Sequence, residues 1–415
     1  MIMAEQITED QLCGLKYFKR LSPLLDRLHD VGTDRDRAGN RQLFFDQYCK
    51  LVLLYLFNPL ISSMRMLRES LQLNKAARAA GVKRFSLGSF SEASAVFDPQ
   101  ALQEVIKELA GEIRPLASDP RLKDLKHLVT LADGTILAAL PRLASTIYNQ
   151  GRDGKPMHGW RLHTHLVLGH PAPELIERTS AKGAASSERR HLREHLQAGR
   201  CYVLDRGFQA ANLLNDIHAA QSSYVCRVRE NLSPLVLEER NLSAAATAGG
   251  VIGDALVSMT PRWGGTSSDH PMRLITVAGT PHPKRTRKGT KQSDGRIFIL
   301  TNLLQEPPEL IALIYRYRWT IELFFRLLKQ ILGCRHLLSQ RPEGIDIQIY
   351  CAVIAAMLIH LQTGKKASKA IVFVLGMYLA GVASEEEVMA RLNRPDNTGV
   401  KLAAKDALWK KLGVD

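Results

Sequence analysis

The sequence predicts an α/β protein in which a mixed β-sheet is covered by helices, with helical segments at both ends. Three observations predict it. Residues 127–140, 160–169, 201–205 and 222–230 are β-rich, and the first two alternate apolar with polar side chains, the period of a strand with one buried face. Helical patterns at 187–198 and about 210–220 lie between them, as crossover helices do. Residues 1–125 and the chain beyond 307 carry apolar residues at helical spacing.

In order, Leu15, Phe18, Leu21, Leu24 and Leu25 recur at helical spacing, and Leu51–Phe57 reads as a buried helical run halted by Asn58-Pro59, since proline cannot continue a helix. Met64, Met66, Leu67 and Leu71 follow with basic residues between them, and KRFSLGSFSEASAVFDP (83–99) offers a turn, with Ser89 or Ser91 to cap the next helix. Residues 1–125 are expected to form a helical domain. It suits DNA reading and scaffolding equally, because no helix-turn-helix pattern stands out.

From 127 the texture changes. HLVTLADGTILAAL (127–140) predicts a hairpin split at Gly134, with Asp133 ending its first strand. WRLHTHLVLG (160–169) is a third strand, SERRHLREHLQA (187–198) a helix ending at Gly199, and CYVLD (201–205) a short buried strand before Arg206-Gly207. A helix from about Ala210 to Ala220 and a strand SSYVCRVRE (222–230) complete a first part of the core, 126–230. Residues 231–296, rich in Ser, Thr, Gly and Pro and holding the run PKRTRKGTK (283–291), predict a loop-rich β insertion. RIFILTNL (296–303) leads back into the second part of the core, 297–365, and 366–415 forms a C-terminal helical region. Helices are expected at 344–363, 367–382, 385–393 and 403–412, and no internal repeat is present.

Composition bounds the partners. The 415 residues carry 56 Lys+Arg against 41 Asp+Glu, a formal charge of +15 spread along the chain. That suits a polyanion, nucleic acid above all, although a merely basic enzyme has the same balance. The six cysteines are scattered without a C-x-x-C pair, which points to a reducing cytosol rather than a disulfide framework. MIMAEQITEDQ has no apolar run, so no signal peptide is expected, and the apolar stretch Ala370–Ala383 is too short to span a bilayer.

The chemistry gathers on IALIYRYRWTIELFFRLLKQ (311–330), which holds neither Gly nor Pro and reads as one uninterrupted helix. At roughly 100° per residue, Arg318, Glu322 and Lys329 share a face with Tyr315, while Ile314, Ile321, Phe325 and Leu328 make up a separate apolar face. A solvated polar face with a surface Arg–Glu pair explains this as well. Two further acids weigh against that: Asp133 and Asp205 both end strands, where functional groups of open sheets collect. Each alone is also ordinary turn or cap chemistry. If strands one and four are neighbours, the two acids meet, and a helix across the rim adds Glu322. Three such carboxylates repel one another unless a cation lies between them. Magnesium takes oxygen ligands, and paired ions serve phosphodiester chemistry. Arg318 and Lys329 would grip phosphates, and Tyr315 would bond a phosphate oxygen or stack on a base.

Tyr315-x2-Arg318-x3-Glu322-x6-Lys329 matches, at every spacing, the YREK motif of the insertion-sequence-four family of bacterial DDE transposases. The Asp-Gly-Thr at Asp133 and VLDRGF at Asp205 resemble that family's first and second acidic motifs, and the likeness covers roughly 125–335. The resemblance implies an RNase H-like core with a β insertion before the Glu-bearing helix. It implies Asp133, Asp205 and Glu322 as ligands of magnesium, two ions with manganese as substitute, and Tyr315, Arg318 and Lys329 as contacts to transposon-end DNA. It implies cut-and-paste transposition through hydrolysis, a hairpin on the element and strand transfer, by a homodimer on double-stranded DNA in the bacterial cytoplasm, with neither membrane nor nucleotide cofactor. A Trp of the insertion stacks on a flipped base in this family, a role carried over to Trp263. The basic run supplies Lys284, Arg285, Arg287 and Lys288 (with Lys291) as further phosphate contacts, or is a solvated loop. Alternatives of other classes are a silent DNA-binding descendant of such an enzyme and a metal-dependent nuclease on the same fold.

Two histidine patterns read as structural. His191-Leu-Arg-Glu194-His195 fits H-x-x-E-H, but Arg189, Arg190 and Arg193 crowd the helix and oppose a dication. His163 and His165 share a strand face without an evident third ligand. Trp319 and Phe324-Phe325 are expected to pack in the core.

Overall fold

The computed structural model describes residues 16–31, 41–58, 60–113, 119–138, 147–150, 156–230, 232, 234–259, 266–279, 295–331, 337–339, 341–363, 367–379 and 382–393. The chain opens with helices α1 (Lys16–Asp26), α2 (Phe45–Phe57), α3 (Met64–Ser70), α4 (Asn74–Ala80), α5 (Leu87–Ala93) and α6 (Ala101–Glu112). The run Leu51–Phe57 is the C-terminal half of α2, buried as far as Tyr55, and the helix stops at Asn58 as expected. Ser86 caps α5 by accepting from the Ser89 amide, so Ser89 is the capped residue rather than the cap. Phe45 stacks on Phe97 and Tyr48 on Phe90, with centroids 4.7 and 4.5 Å apart.

These helices share one apolar cluster with α12 (Pro342–Thr363), α13 (Lys369–Leu379) and α14 (Glu385–Asn393). Over Pro342–Leu361 the mean hydropathy is 1.8, long and apolar enough to cross a membrane, yet 78% of that window is buried inside the protein. A helix apolar all round is what a core axis requires. The helix expected at 403–412 lies outside the described residues.

Among the described residues ten strands form one sheet: β1 (Leu128–Ala138), β2 (Ile147–Gln150), β3 (Pro156–Val167), β4 (Leu175–Ser180), β5 (Arg200–Leu204), β6 (Ser223–Val228), β7 (Leu235–Glu239), β8 (Val251–Ser258), β9 (Met272–Ala278) and β10 (Arg296–Thr301). β4, β3 and β1 are an antiparallel set, and β5 then β6 add parallel to β1. That order is an RNase H-like core. Beyond it β10, β9, β8 and β7 extend the same sheet, so the β-rich insertion adds strands to one edge. Short helices α7 (Glu188–Glu194), α8 (Ala211–Ala219) and α9 (Ala244–Ala248) lie in the connections.

One expectation fails here. The hairpin expected to turn at Gly134 does not form, because β1 runs unbroken through Gly134, paired along β3 from Thr130–Val167 to Ala138–Gly159. Gly134 does not take the positive φ that a tight Asp-Gly turn needs.

Strand alternation sorts the two faces. Val129, Leu131, Cys201 and Val203 pack with Ile311, Ile314, Ile321 and Phe325 on one side. Ala132, Tyr202 and Leu204 pack with Leu192, Leu213 and Ile217 of α7 and α8 on the other. Arg178 of β4 ties the sheet to α12 through a two-pronged pair with Asp346, at 2.7 and 3.1 Å, while stacking on Trp160.

Candidate active site

The two aspartates owe their position to register. β1 and β5 pair in parallel from Leu128–Arg200 to Leu131–Val203. Two residues further along each strand stand Asp133 and Asp205, level with one another and in phase with Val129, Leu131, Cys201 and Val203. Asp133 is within β1 rather than at its end, but the ladder to β5 has already stopped, so its carboxylate meets the rim. The backbone fixes both acids: the Gly134 amide donates to Asp133 at 2.8 Å, and the Gly207 amide donates to Asp205 at 2.6 Å. Asp205 thereby caps the 3-10 turn Arg206–Phe208.

The segment expected as one helix is two, α10 (Pro308–Arg316) and α11 (Trp319–Ile331). Tyr317 and Arg318 bond back to Ile314 and Tyr315 at 3.1 Å each, and Thr320 and Ile321 bond to Tyr317 and Arg318, the i to i−3 pattern of a 3-10 turn. No breaker residue marks the joint. Its anchors are tertiary: the Tyr317 hydroxyl donates to Asp119 at 2.6 Å and Arg316 to the Gly249 carbonyl at 3.1 Å. The apolar face is as expected, since Ile314, Ile321, Phe325 and Leu328 are all buried. Trp319 is not core. It is 47% exposed, with the Arg326 guanidinium 5.0 Å from its ring centre.

This joint sets Arg318 between acids. Its guanidinium donates to Glu322 at 2.6 Å and lies 3.9 Å from the Asp133 carboxylate. Tyr315 is half-buried, with the Arg227 and Arg318 charges beside it. Lys329 follows on α11, half-buried. Trp263, Lys284, Arg285, Arg287, Lys288 and Lys291 lie outside the described residues.

A fourth acid bears on this centre from the opposite face of the sheet and was missed. Glu188, the first residue of α7, ion-pairs with Arg161 and bears electrostatically on both Asp133 and Asp205. Gly134 makes room for it, since a Cβ there would lie 3.0 Å from the Glu188 Cδ and 3.1 Å from its Cγ. The only sequence sign was an acid opening a helix. Burial, followed by the neighbouring charges of Glu188 and Asp205, pushes the Asp133 carboxyl up to about 7, against the pull of its Gly134 hydrogen bond and of Arg318. Carboxylates crowded until one holds its proton near neutrality make an all-oxygen donor set with negative charge to spare, which fits a hard dication.

An RNase H-like sheet with acids gathered at the rim defines the class. Residues 124–358, more than half of the chain, match the family model described as "Transposase DDE domain", and the chain belongs to that family. It is 28% identical over 238 residues to the y4zB transposase of Sinorhizobium fredii, covering 57% of this chain and 61% of that protein. It is 24% identical over 288 residues to a Synechocystis protein described as a transposase for insertion sequence element IS4SA, covering 66% of this chain and 71% of that one. The match thus spans about three fifths of the first relative's length. A solved piggyBac transposase synaptic complex with hairpin DNA overlaps 97% of this chain and 87% of that one at 12% identity, with a TM-score of 0.46.

Proposed function

We propose that the protein is a cut-and-paste DNA transposase of the YREK type. It hydrolyses phosphodiester bonds at the terminal inverted repeats of an insertion sequence, passes through a hairpin on the element and joins the freed 3′-OH to target DNA. The observation that carries this reading is the level register of Asp133 and Asp205, with Glu322 joined to Asp133 through Arg318.

Asp133, Asp205 and Glu322 would hold the metal. Magnesium, or manganese in its place, would supply activation of the attacking oxygen and charge stabilisation at phosphorus. Asp133 would have to give up its proton to serve as a ligand, since its carboxyl is held up to about 7. Glu188, paired with Arg161, keeps negative potential on Asp133 and Asp205. Arg318 neutralises Glu322 and Asp133 in the resting protein. Its guanidinium fork could also turn to a scissile-strand phosphate, where two parallel hydrogen bonds would fix orientation. Tyr315 donates to a neighbouring phosphate oxygen, and Lys329 adds a point charge. Double-stranded DNA, transposon end and target alike, meets a +15 chain, and a homodimer would hold two ends together.

The test is cleavage of DNA carrying the element's terminal inverted repeats, with magnesium or manganese present. Nicking followed by strand transfer is expected from the wild type, and no cleavage from Asp133→Ala, Asp205→Ala or Glu322→Ala. Cleavage surviving in any of the three variants contradicts the assignment. Metal-independent binding without nicking would point to a silent descendant, and cutting without joining to a plain nuclease.

A further inference from the structure

On the sheet face opposite the aspartates, β3, β4 and α7 bring together four histidines and a glutamate. Glu177 of β4 stands opposite His163 of β3. Its carboxylate meets His191 Nε2 at 2.8 Å and His195 Nε2 at 3.4 Å. The ligand atoms of Glu177, His191 and His195 all lie within 4.8 Å of one another. A tetrahedral site with bonds of about 2.0–2.1 Å separates its ligand atoms by about 3.3 Å, so these side chains need only small adjustments to share one ion.

The objection raised by the sequence disappears in the fold. The three arginines of this helix are turned to other partners: Arg189 donates to the Gly207 carbonyl, Arg190 pairs with Glu194, and Arg193 pairs with Asp216. What the histidines face is a carboxylate. Their supports are those of metal ligands as well. His195 Nδ1 is 2.9 Å from the His191 carbonyl, which engages that nitrogen as the donor and leaves Nε2, aimed at Glu177, as the one to meet a metal. His163 stacks on His191 with centroids 4.1 Å apart and spends its Nε2 on Thr179 at 2.9 Å. It is buried, as is His165, and both form the wall of the site. Glu177 and His195 remain partly exposed, so an ion has a way in.

We propose that Glu177, His191 and His195 form a second metal site, selective for a zinc-class dication, with water as fourth ligand. Two imidazoles and one carboxylate suit zinc, whereas magnesium prefers an all-oxygen set. The ion would fasten the seven-residue helix α7 to β4 and so steady Glu188 at the helix's other end. The site stands independently of the activity proposed above.

The test uses full-length protein and cobalt(II) as probe, in excess magnesium. One equivalent of cobalt should bind with the visible d–d absorption of four-coordinate geometry, and zinc should displace it. Glu177→Gln and His195→Asn should each weaken binding at least about tenfold, while Asp133→Asn leaves it unchanged. Glu177 is 42% exposed on its side chain, so Glu177→Gln tests the site even if substitution at buried His191 impairs folding. Absence of the cobalt spectrum overturns the site. So does cobalt binding that Asp133→Asn abolishes and Glu177→Gln leaves intact.

Discussion

Replacing Asp133 by Asn in the metal-free protein should stabilise the fold, although it removes a residue proposed for catalysis. The carboxyl is held up to about 7 by burial, Glu188 and Asp205, against an unfolded value of about 3.9. Because the folded value is the higher, the folded state holds the extra proton. Its benefit is complete below about pH 4 and disappears as pH rises through 7. At pH 8 the charged side chain therefore costs about 4 kcal/mol, from roughly three units at 1.36 kcal/mol each, and at pH 5 about 1.5 kcal/mol. Relaxation and water entry lower the upper figure to about 2 kcal/mol. The assay is urea unfolding of wild type and Asp133→Asn in EDTA at pH 5 and pH 8. The variant should be the more stable at pH 8, by a margin that shrinks at pH 5. Millimolar magnesium should then raise the wild type above its own metal-free stability and leave the variant unmoved. A variant no more stable at pH 8, or a margin that grows as pH falls, would refute the reasoning.

Three other outcomes follow from the geometry. Arg273→Met should cost about 3–5 kcal/mol in denaturant titration, because it strands the buried Asp254 that Arg273 grips at 2.7 and 2.6 Å. The double variant Arg273→Met with Asp254→Leu should recover most of that loss. Gly134→Ala should cost about 1–3 kcal/mol by driving a methyl group into the Glu188 carboxylate, and Glu188→Ala in the same chain should relieve it. In filter binding, DNA affinity should fall steeply with salt, and Arg318→Ala should reduce the slope of log K against log salt by about 1 at all DNA sequences.

The parts legible in the sequence were those set by local periodicity. The β-rich runs leading to Asp133 and Asp205 marked both acids as groups at strand ends, and helical spacing picked out Ile314, Ile321, Phe325 and Leu328 as the buried side. What escaped depended on tertiary partners. Asp133-Gly134 has the composition of a turn, but β3 holds it as strand along its whole length. The joint at Tyr317 and Arg318 carries no breaker residue and is anchored by Asp119 and Gly249, far away in the chain. β4 was unforeseen because LIERTS shows little contrast between its faces. Glu188 is seen only where Gly134 leaves space, and the pairing of His191 and His195 with Glu177 is visible only once β4 lies beside α7. Trp319 looked like core by residue type, yet at the start of α11 it faces outward.

Iron(II) put in place of magnesium and treated with ascorbate cuts the backbone beside the metal, and so tests most directly whether Asp133, Asp205 and Glu322 share one centre. Cuts near all three, suppressed together by excess magnesium and absent from Asp205→Asn, are the predicted result. Cuts confined to one of the three segments, or unaffected by magnesium, would contradict a common centre.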